Sequence, residues 1–348
     1  MEMPPPLIDS PAAWTGEEMA RHKERWLVEL SPEDIAELEA AGNAYLARTD
    51  DIGALKKEDF PLPRLAAHLA ALREKLVDGI GFEVLRGLPV ENYSRELAAT
   101  VFCGVGAHLG SARSQNAKGH ILGHVRDTGA SARDTNTRIY QTAERQTFHT
   151  DSADVVGLLC MKDAREGGES LLVSTVTIYN EMQRRRPDLV PLLFDPIATD
   201  RRGEIPEGQK AYFEIPVLNW HRGHLTGMYQ RQYIDSAQRF PDAMRLTDRH
   251  VEALDLFDSL ANDPKLNLVM RLKPGDLQFV YNHSMLHDRM GFLDWAESEK
   301  RRHMLRLWLS VPGDRSLPEC FRQRYGSIEI GDRGGIITKD TRLNAPLG

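Results

Sequence analysis

Apolar positions along the chain recur first at helical spacing and later at strand spacing. Leu65, Leu69, Leu72 and Leu76 fall 4, 3 and 4 apart, which lays one apolar stripe along a helix that Gly79-Ile80-Gly81 then punctuates. Upstream, Ser31-Pro32-Glu33-Asp34 sets a hydroxyl at the N-cap, Pro in the first turn and an acid at the third position, the start signal of another helix. Residues 1–78 are therefore expected to form a helical N-terminal region packed on a core spanning 79–348. Residues 82–88 read as a short strand, and Ser94 as the cap of a helix running to Leu109. The stretch 110–147 is rich in Gly, Ser, Arg, Asn and Thr, and predicts a loop with one or two short strands that covers a site.

Beyond Phe148 the pattern becomes that of sheet. Segments 155–161 and 170–177 are β-rich runs joined by a turn at Glu166-Gly167-Gly168, with a helix expected over 178–186 up to Pro187. Strands are predicted at 212–215 and 225–234, and a helix at 247–260 from the spacing of Val251, Leu254 and Phe257. Segments 266–272 and 277–281 flank the turn Lys273-Pro274-Gly275-Asp276, and 304–311 is the last strand. There is no internal repeat. Many short strands after a helical start predict an α+β protein with a barrel or sandwich core.

Composition narrows the function classes. With 44 basic and 51 acidic side chains in 348 residues the net charge is −7, which argues against a nucleic-acid partner. The longest apolar run, 155–161, is far short of the roughly 20 residues that cross a bilayer, so no membrane span is expected. The first ten residues carry neither a basic nor an apolar leader pattern, and the expectation is a cytoplasmic protein. Cys103, Cys160 and Cys320 are scattered and odd in number, against a disulfide scaffold or a paired-cysteine zinc site, and Cys160 reads as a small core residue. Homo-oligomer formation stays open, since no heptad pattern assigns the N-terminal helices to an interface.

Three side chains carry candidate chemistry. In Phe148-His149-Thr150-Asp151, His149 and Asp151 are two apart, so on a strand they share a face and can grip one ion. His287 can complete a set of two histidines and one carboxylate, which leaves half an octahedron open, as a non-haem Fe(II) centre requires. Arg302 and Arg306 lie four apart on one predicted strand, again on one face, amid Met304, Leu305, Leu307, Trp308 and Leu309. A guanidinium in such apolar company needs an anionic partner.

The wider strings around these residues resemble one family. The run from Phe148 to Cys160 is similar to the metal-binding strand of taurine dioxygenase-like Fe(II)/2-oxoglutarate-dependent oxygenases. Gly167-Gly168-Glu169-Ser170, Pro274-Gly275-Asp276 with the following 282–289, and the arginine strand at 301–309 resemble that family's later motifs, in the same order. The resemblance implies a double-stranded β-helix, or jelly-roll, with surrounding helices. It implies Fe(II) on His149, Asp151 and His287, with 2-oxoglutarate and O2 as co-substrates. Oxidative decarboxylation to succinate and CO2 would drive hydroxylation of an aliphatic C–H in a small anionic or zwitterionic substrate. It places the distal carboxylate of 2-oxoglutarate on one of the two arginines, Arg302 being favoured; Arg306 would meet that carboxylate or an anionic group of the substrate. Ser170 stands where the family often has Thr, as a hydroxyl donor to the same carboxylate or as a turn cap. Substrate contacts are expected from the loop residues Asn116 and Lys118 and from Tyr140 and Gln141. The segment 220–224 reads as an exposed hairpin or a gate. The presence of Asp151 argues against halogenation. Two other readings are a metal-dependent non-oxidative enzyme and a non-catalytic small-molecule binding protein on the same fold. The arginine strand has no purpose in the first, and the intact triad is poorly explained by the second.

Overall fold

The computed structural model describes residues 4–129, 139–337 and 341–348. Helices and two main sheets are combined in it. The larger sheet runs in the order Leu27–Glu29, Phe82–Arg86, Leu277–Tyr281, Val155–Lys162 and His303–Ser310. On its far edge, Ser111–Arg113 and Leu122–Val125 both pair with His303–Ser310, the two short strands expected in the long loop region. The smaller sheet runs Leu268–Met270, Ser170–Ser174, Met285–Arg289 and Gln146–His149. All neighbours in both sheets are antiparallel except Leu27–Glu29 with Phe82–Arg86.

Alternation along His303–Ser310 shows how the layers form. Leu305, Leu307 and Leu309 bury against a helical layer built from Pro32–Leu46, Ala66–Val77 and Arg95–Leu109, together with Leu38, Leu69 and Phe102. Met304 points the other way, into a core shared with Phe148, Leu172, Val280 and Met285. A strand buried on both faces reads as a largely apolar run, here interrupted by His303, Arg306 and Ser310. The helices start at their predicted caps: Ser31 and Asp34 form a reciprocal capping box, and Ser94 Oγ accepts from Leu97 N at 3.1 Å. Gly104 lets the third helix touch Phe60, since a Cβ there would lie 2.5 Å from the ring.

Four expectations need correction. The region before residue 79 also carries the strand Leu27–Glu29, and Trp14 and Trp26 pack on Phe82, so it is woven into the sheet and core. The expected strand 170–177 stops at Ser174, whose hydroxyl accepts from Thr177 N and caps the helix Thr175–Arg185, three residues earlier than its expected start. The expected strand 225–234 covers only His224–Gly227, and a helix, Arg231–Ala237, follows. Arg231 pairs with Asp235 one turn on, and Ile234 and Ala237 bury one face, so the local charge spacing outweighs the apolar run. The third strand, expected at 266–272, is confined to Leu268–Met270.

Candidate active site

Register in the smaller sheet brings the two histidines together. His149 ends its strand directly opposite His287, so both side chains leave the same face, with ring centroids 4.2 Å apart. Asp151 lies just past the strand and is fixed by a reciprocal pair: its N–H donates to Asn282 Oδ1 at 2.8 Å, and Asn282 Nδ2 donates to its carbonyl at 2.6 Å. One ligand atom from each of His149, Asp151 and His287 lies within 4.8 Å of the others. His149 Nδ1 donates to the Thr147 carbonyl at 2.9 Å, which sets the tautomer and leaves the Nε2 lone pair facing Asp151. Gln146 Nε2 lies 2.9 Å from that Nε2, so the amide would have to yield the nitrogen to any metal bound there.

The same face of His303–Ser310 supplies the charges. Trp308 Nε1 donates to Asp151 Oδ2 at 2.8 Å, and Arg306 Nη1 at 3.3 Å. Burial alone would raise the Asp151 carboxyl, but Arg306 and the two histidines hold it well below the usual carboxylate range. Burial, with His287 adding to it, pushes His149 down to about 3, so the imidazole is neutral and a competent ligand. Arg306 is held by Gln115, whose Oε1 accepts from its Nε at 2.7 Å, and lies over the Tyr140 ring at 4.7 Å.

Two cavities meet at Gln146, His149 and Arg306. The inner one is lined by Ser170, Gln278, His287, Arg289 and Arg302. Arg302 is 2 % exposed, and its Nε and Nη1 have no hydrogen-bond partner. Its guanidinium lies over Phe292 at 5.2 Å, and burial lowers its pKa. Arg289 donates to the Thr142 carbonyl at 2.9 Å and is pushed down to about 10 by burial and then by Arg302. A buried cation with orphaned donors is costly, and an anionic oxygen donor entering beside His149 and His287 removes that cost. The donor set and the orphaned guanidinium thus fit a divalent ion with a dicarboxylate chelator.

The outer cavity is lined by Tyr140, Phe213, Tyr233, Arg201, Arg202 and Arg324 among others. Of the expected substrate residues, Tyr140 lies on it. Asn116 instead turns back on its own loop, accepting from Lys118 N at 2.9 Å, and Lys118 is exposed there. Gln141 accepts from Thr128 through its carbonyl. None of these three lines either cavity. His124 pairs with His303 at 2.8 Å on the sheet, and 218–227 is a hairpin whose tip, Arg222-Gly223, is exposed.

Sequence reasoning missed Gln146, Asn282, Arg289, Trp308 and the outer arginines. Trp308 was findable: it shares the parity of Arg302 and Arg306 on one strand. The outer arginines were not, because they come from separate segments that only the fold brings together.

A second cluster, Asp154, His283 and Asp314, also has ligand-type atoms within 4.8 Å. Arg333 occupies it, with Nε 2.7 Å from Asp154 and Nη2 2.7 Å from Asp314. It is therefore a buried ion network that ties the C-terminal segment to the loop carrying Asp151.

The model of the taurine catabolism dioxygenase TauD, TfdA family matches residues 44–308. An FR-33289 synthase of Streptomyces rubellomurinus is 33% identical over 273 residues, covering 76% of this chain and 79% of that one. A taurine hydroxylase-like protein of Stachybotrys chartarum is 32% identical over 310 residues, covering 86% of this chain and 79% of that one. Among solved structures, asparagine oxygenase in complex with Fe(II), 3-hydroxyasparagine and succinate superposes with a TM-score of 0.64 at 18% identity, over 82% of this chain and 93% of that one. The non-heme iron oxygenase OrfP in complex with Fe and alpha-ketoglutaric acid gives 0.61 at 16%, over 81% and 93%.

Proposed function

Because the chain belongs to the TauD/TfdA family, and is an Fe(II)- and 2-oxoglutarate-dependent dioxygenase that hydroxylates a small molecule, we propose that His149, Asp151 and His287 hold the iron. Arg302 and Ser170 take the distal carboxylate of 2-oxoglutarate. Arg306 faces the substrate, and the two sheets are the halves of a double-stranded β-helix. The observation that carries this reading is the convergence of the three ligand atoms within 4.8 Å beside a buried arginine with two orphaned donors. When bound, the iron and 2-oxoglutarate supply dioxygen activation, with release of succinate and CO2 and hydroxylation of a substrate C–H.

The chain's own residues set the geometry for that chemistry. Asn282 fixes the Asp151 backbone while Trp308 and Arg306 donate to its Oδ2, so the other carboxylate oxygen, Oδ1, is left for the metal. Arg302 lies in the inner cavity, and its fork matches a carboxylate bidentately. Arg306 spends Nε on Gln115 and Nη1 on Asp151, and its Nη2 makes no hydrogen bond among the described residues. That donor, in the wall between the two cavities, suits an anionic or zwitterionic substrate. No helix among the described residues is long and apolar enough to cross a membrane.

The test is anaerobic addition of Fe(II) and then 2-oxoglutarate to the apo-protein, reading the visible metal-to-ligand charge-transfer band. The expected result is a band in the wild type and none in Asp151→Asn. A folded, iron-loaded wild type without a band overturns the assignment.

A further inference from the structure

We propose that Gln278 is a specificity-determining residue for the co-substrate: its side-chain amide donates to the far end of 2-oxoglutarate from the sheet opposite Ser170, and so favours a 2-oxo-dicarboxylate over a 2-oxoacid that ends in a methyl group. The inference rests on the dioxygenase reading and adds to it a residue that neither the metal set nor the arginines account for.

The strand position is one that packing would fill with an apolar side chain. Leu277–Tyr281 is buried throughout. On the face that looks into the inner cavity, Gln278 stands between Val84 and Leu158 of the neighbouring strands, with Val280 two residues on. The glutamine is 2 % exposed there. A buried amide that lacks partners costs about 1–3 kcal/mol.

Two other buried amides show how that cost is ordinarily removed. Gln115 Nε2 donates to the Ile121 and Arg306 carbonyls at 2.8 Å each, and its Oε1 accepts from Arg306 Nε. Asn282 Nδ2 donates to the Asp151 and Ala153 carbonyls, and its Oδ1 accepts from Asp151 N. Gln278 makes a single hydrogen bond among the described residues, from Nε2 to Met270 Sδ at 2.9 Å. A thioether is a weak acceptor. The amide is held in place, yet one N–H and its Oε1 meet no acceptor or donor among the described residues.

Register fixes where that unused donor sits. Met270 is paired with Ser170, and Ser170 with Arg289, so these three form one row across the smaller sheet. The next row on the same face holds Leu172, His287 and His149. Successive rows on one face of a sheet are two residues, or roughly 7 Å, apart. By touching Met270, the Gln278 amide reaches the row one step from the two histidines, where Ser170 and Arg289 line the inner cavity together with Arg302. Arg302 Nε and Nη1 and Arg289 Nε are orphaned there. Asp288, a carboxylate on the same lining, is held by Arg145 at 2.5 Å and does not compete for these donors. A ligand whose keto-acid end lies at the histidines brings its other end into this row. A neutral amide adds a hydrogen bond to it from the opposite sheet without burying a third charge.

The test is anaerobic titration of the Fe(II) protein with 2-oxoglutarate and with 2-oxopentanoate, the same carbon chain without the distal carboxylate, reading the charge-transfer band. Gln278→Met, matched in length, is expected to weaken 2-oxoglutarate about 10-fold while 2-oxopentanoate stays within about twofold of the wild type. Gln278→Glu is isosteric and sets a like charge against the carboxylate, so it is expected to weaken 2-oxoglutarate further still. Melting curves confirm that each variant is folded, and either one reports if the other is not. Unchanged 2-oxoglutarate affinity in both variants, or an equal loss for the two 2-oxoacids, overturns the role of Gln278. A wild type that gives no band with 2-oxoglutarate overturns the dioxygenase reading itself, so the two failures are told apart.

Discussion

Replacing Arg302 by methionine separates the cost of a buried charge from the value of a ligand contact. In the protein alone, Arg302 is 2 % exposed with two orphaned donors and no carboxylate partner among the described residues. Each orphaned buried donor costs about 1–3 kcal/mol, and an unbranched apolar side chain of similar length removes that cost without opening a large void. The apo-variant should therefore be at least as stable as the wild type, by roughly 0–3 kcal/mol in urea unfolding. With 2-oxoglutarate the order reverses. A charge-assisted pair is worth about 1.5–3 kcal/mol, so the affinity for 2-oxoglutarate should fall about 10- to 100-fold. The assay is a 2-oxoglutarate titration of the anaerobic Fe(II) protein, beside melting curves with and without the ligand. An apo-variant destabilised by several kcal/mol, with unchanged 2-oxoglutarate affinity, would refute the reasoning. If Arg306→Met shows the affinity loss instead, the two arginines exchange roles.

Asp151→Ala should be less stable than Asp151→Asn by about 1–2 kcal/mol in urea unfolding, because only asparagine keeps an acceptor for Trp308 Nε1; both should lack the charge-transfer band. Glu83 is fully buried between His68 and Lys75, and although burial alone would raise its carboxyl, these partners hold it below its ordinary value. A depressed folded pKa gives stability that is present above the unfolded value and lost as pH falls through the folded one. Glu83→Gln should therefore cost about 1–2 kcal/mol at pH 7, discounted because both partners are one-third exposed. The gap to the wild type should narrow below about pH 4.5 in unfolding curves; a constant gap down to pH 3 counts against the ion triad. Gly104→Ala should destabilise by about 1–3 kcal/mol, since its Cβ meets the Phe60 ring at 2.5 Å; an unchanged melting point would mean that the ring moves freely.

Much of the site was legible because it lies on strands, where a period of two converts sequence directly into direction. Spacing assigns His149 and Arg306 to faces, whereas Asp151 and Arg302 lie just outside the ends of their strands, and His287 joins them through motif order. The outer cavity was not legible, because its lining comes from a turn at 200–203, from Tyr229 and Tyr233, and from Arg324, far along the chain from all of them. No local period links those segments. The 225–234 strand expectation failed for a related reason: an apolar run does not distinguish strand from buried helix until its charge pairs are placed. Likewise Leu27–Glu29 is a three-residue strand with no alternation long enough to read, and only pairing with Phe82–Arg86 makes it one.

The segment 324–335 clasps the loop that carries Asp151. Arg324 donates to Ser152 Oγ at 2.7 Å, Gly335 N to the Ser152 carbonyl at 2.7 Å, and Tyr325 Oη to the Ala153 carbonyl at 3.2 Å, with Arg333 buried on Asp154. A chain emerging from the ribosome delivers His149 and Asp151 well before it delivers these residues. The loop at 151–154 therefore gains its last hydrogen-bond partners only when the C-terminal segment has been made, so a chain cut short before residue 324 would leave the candidate site without its clasp.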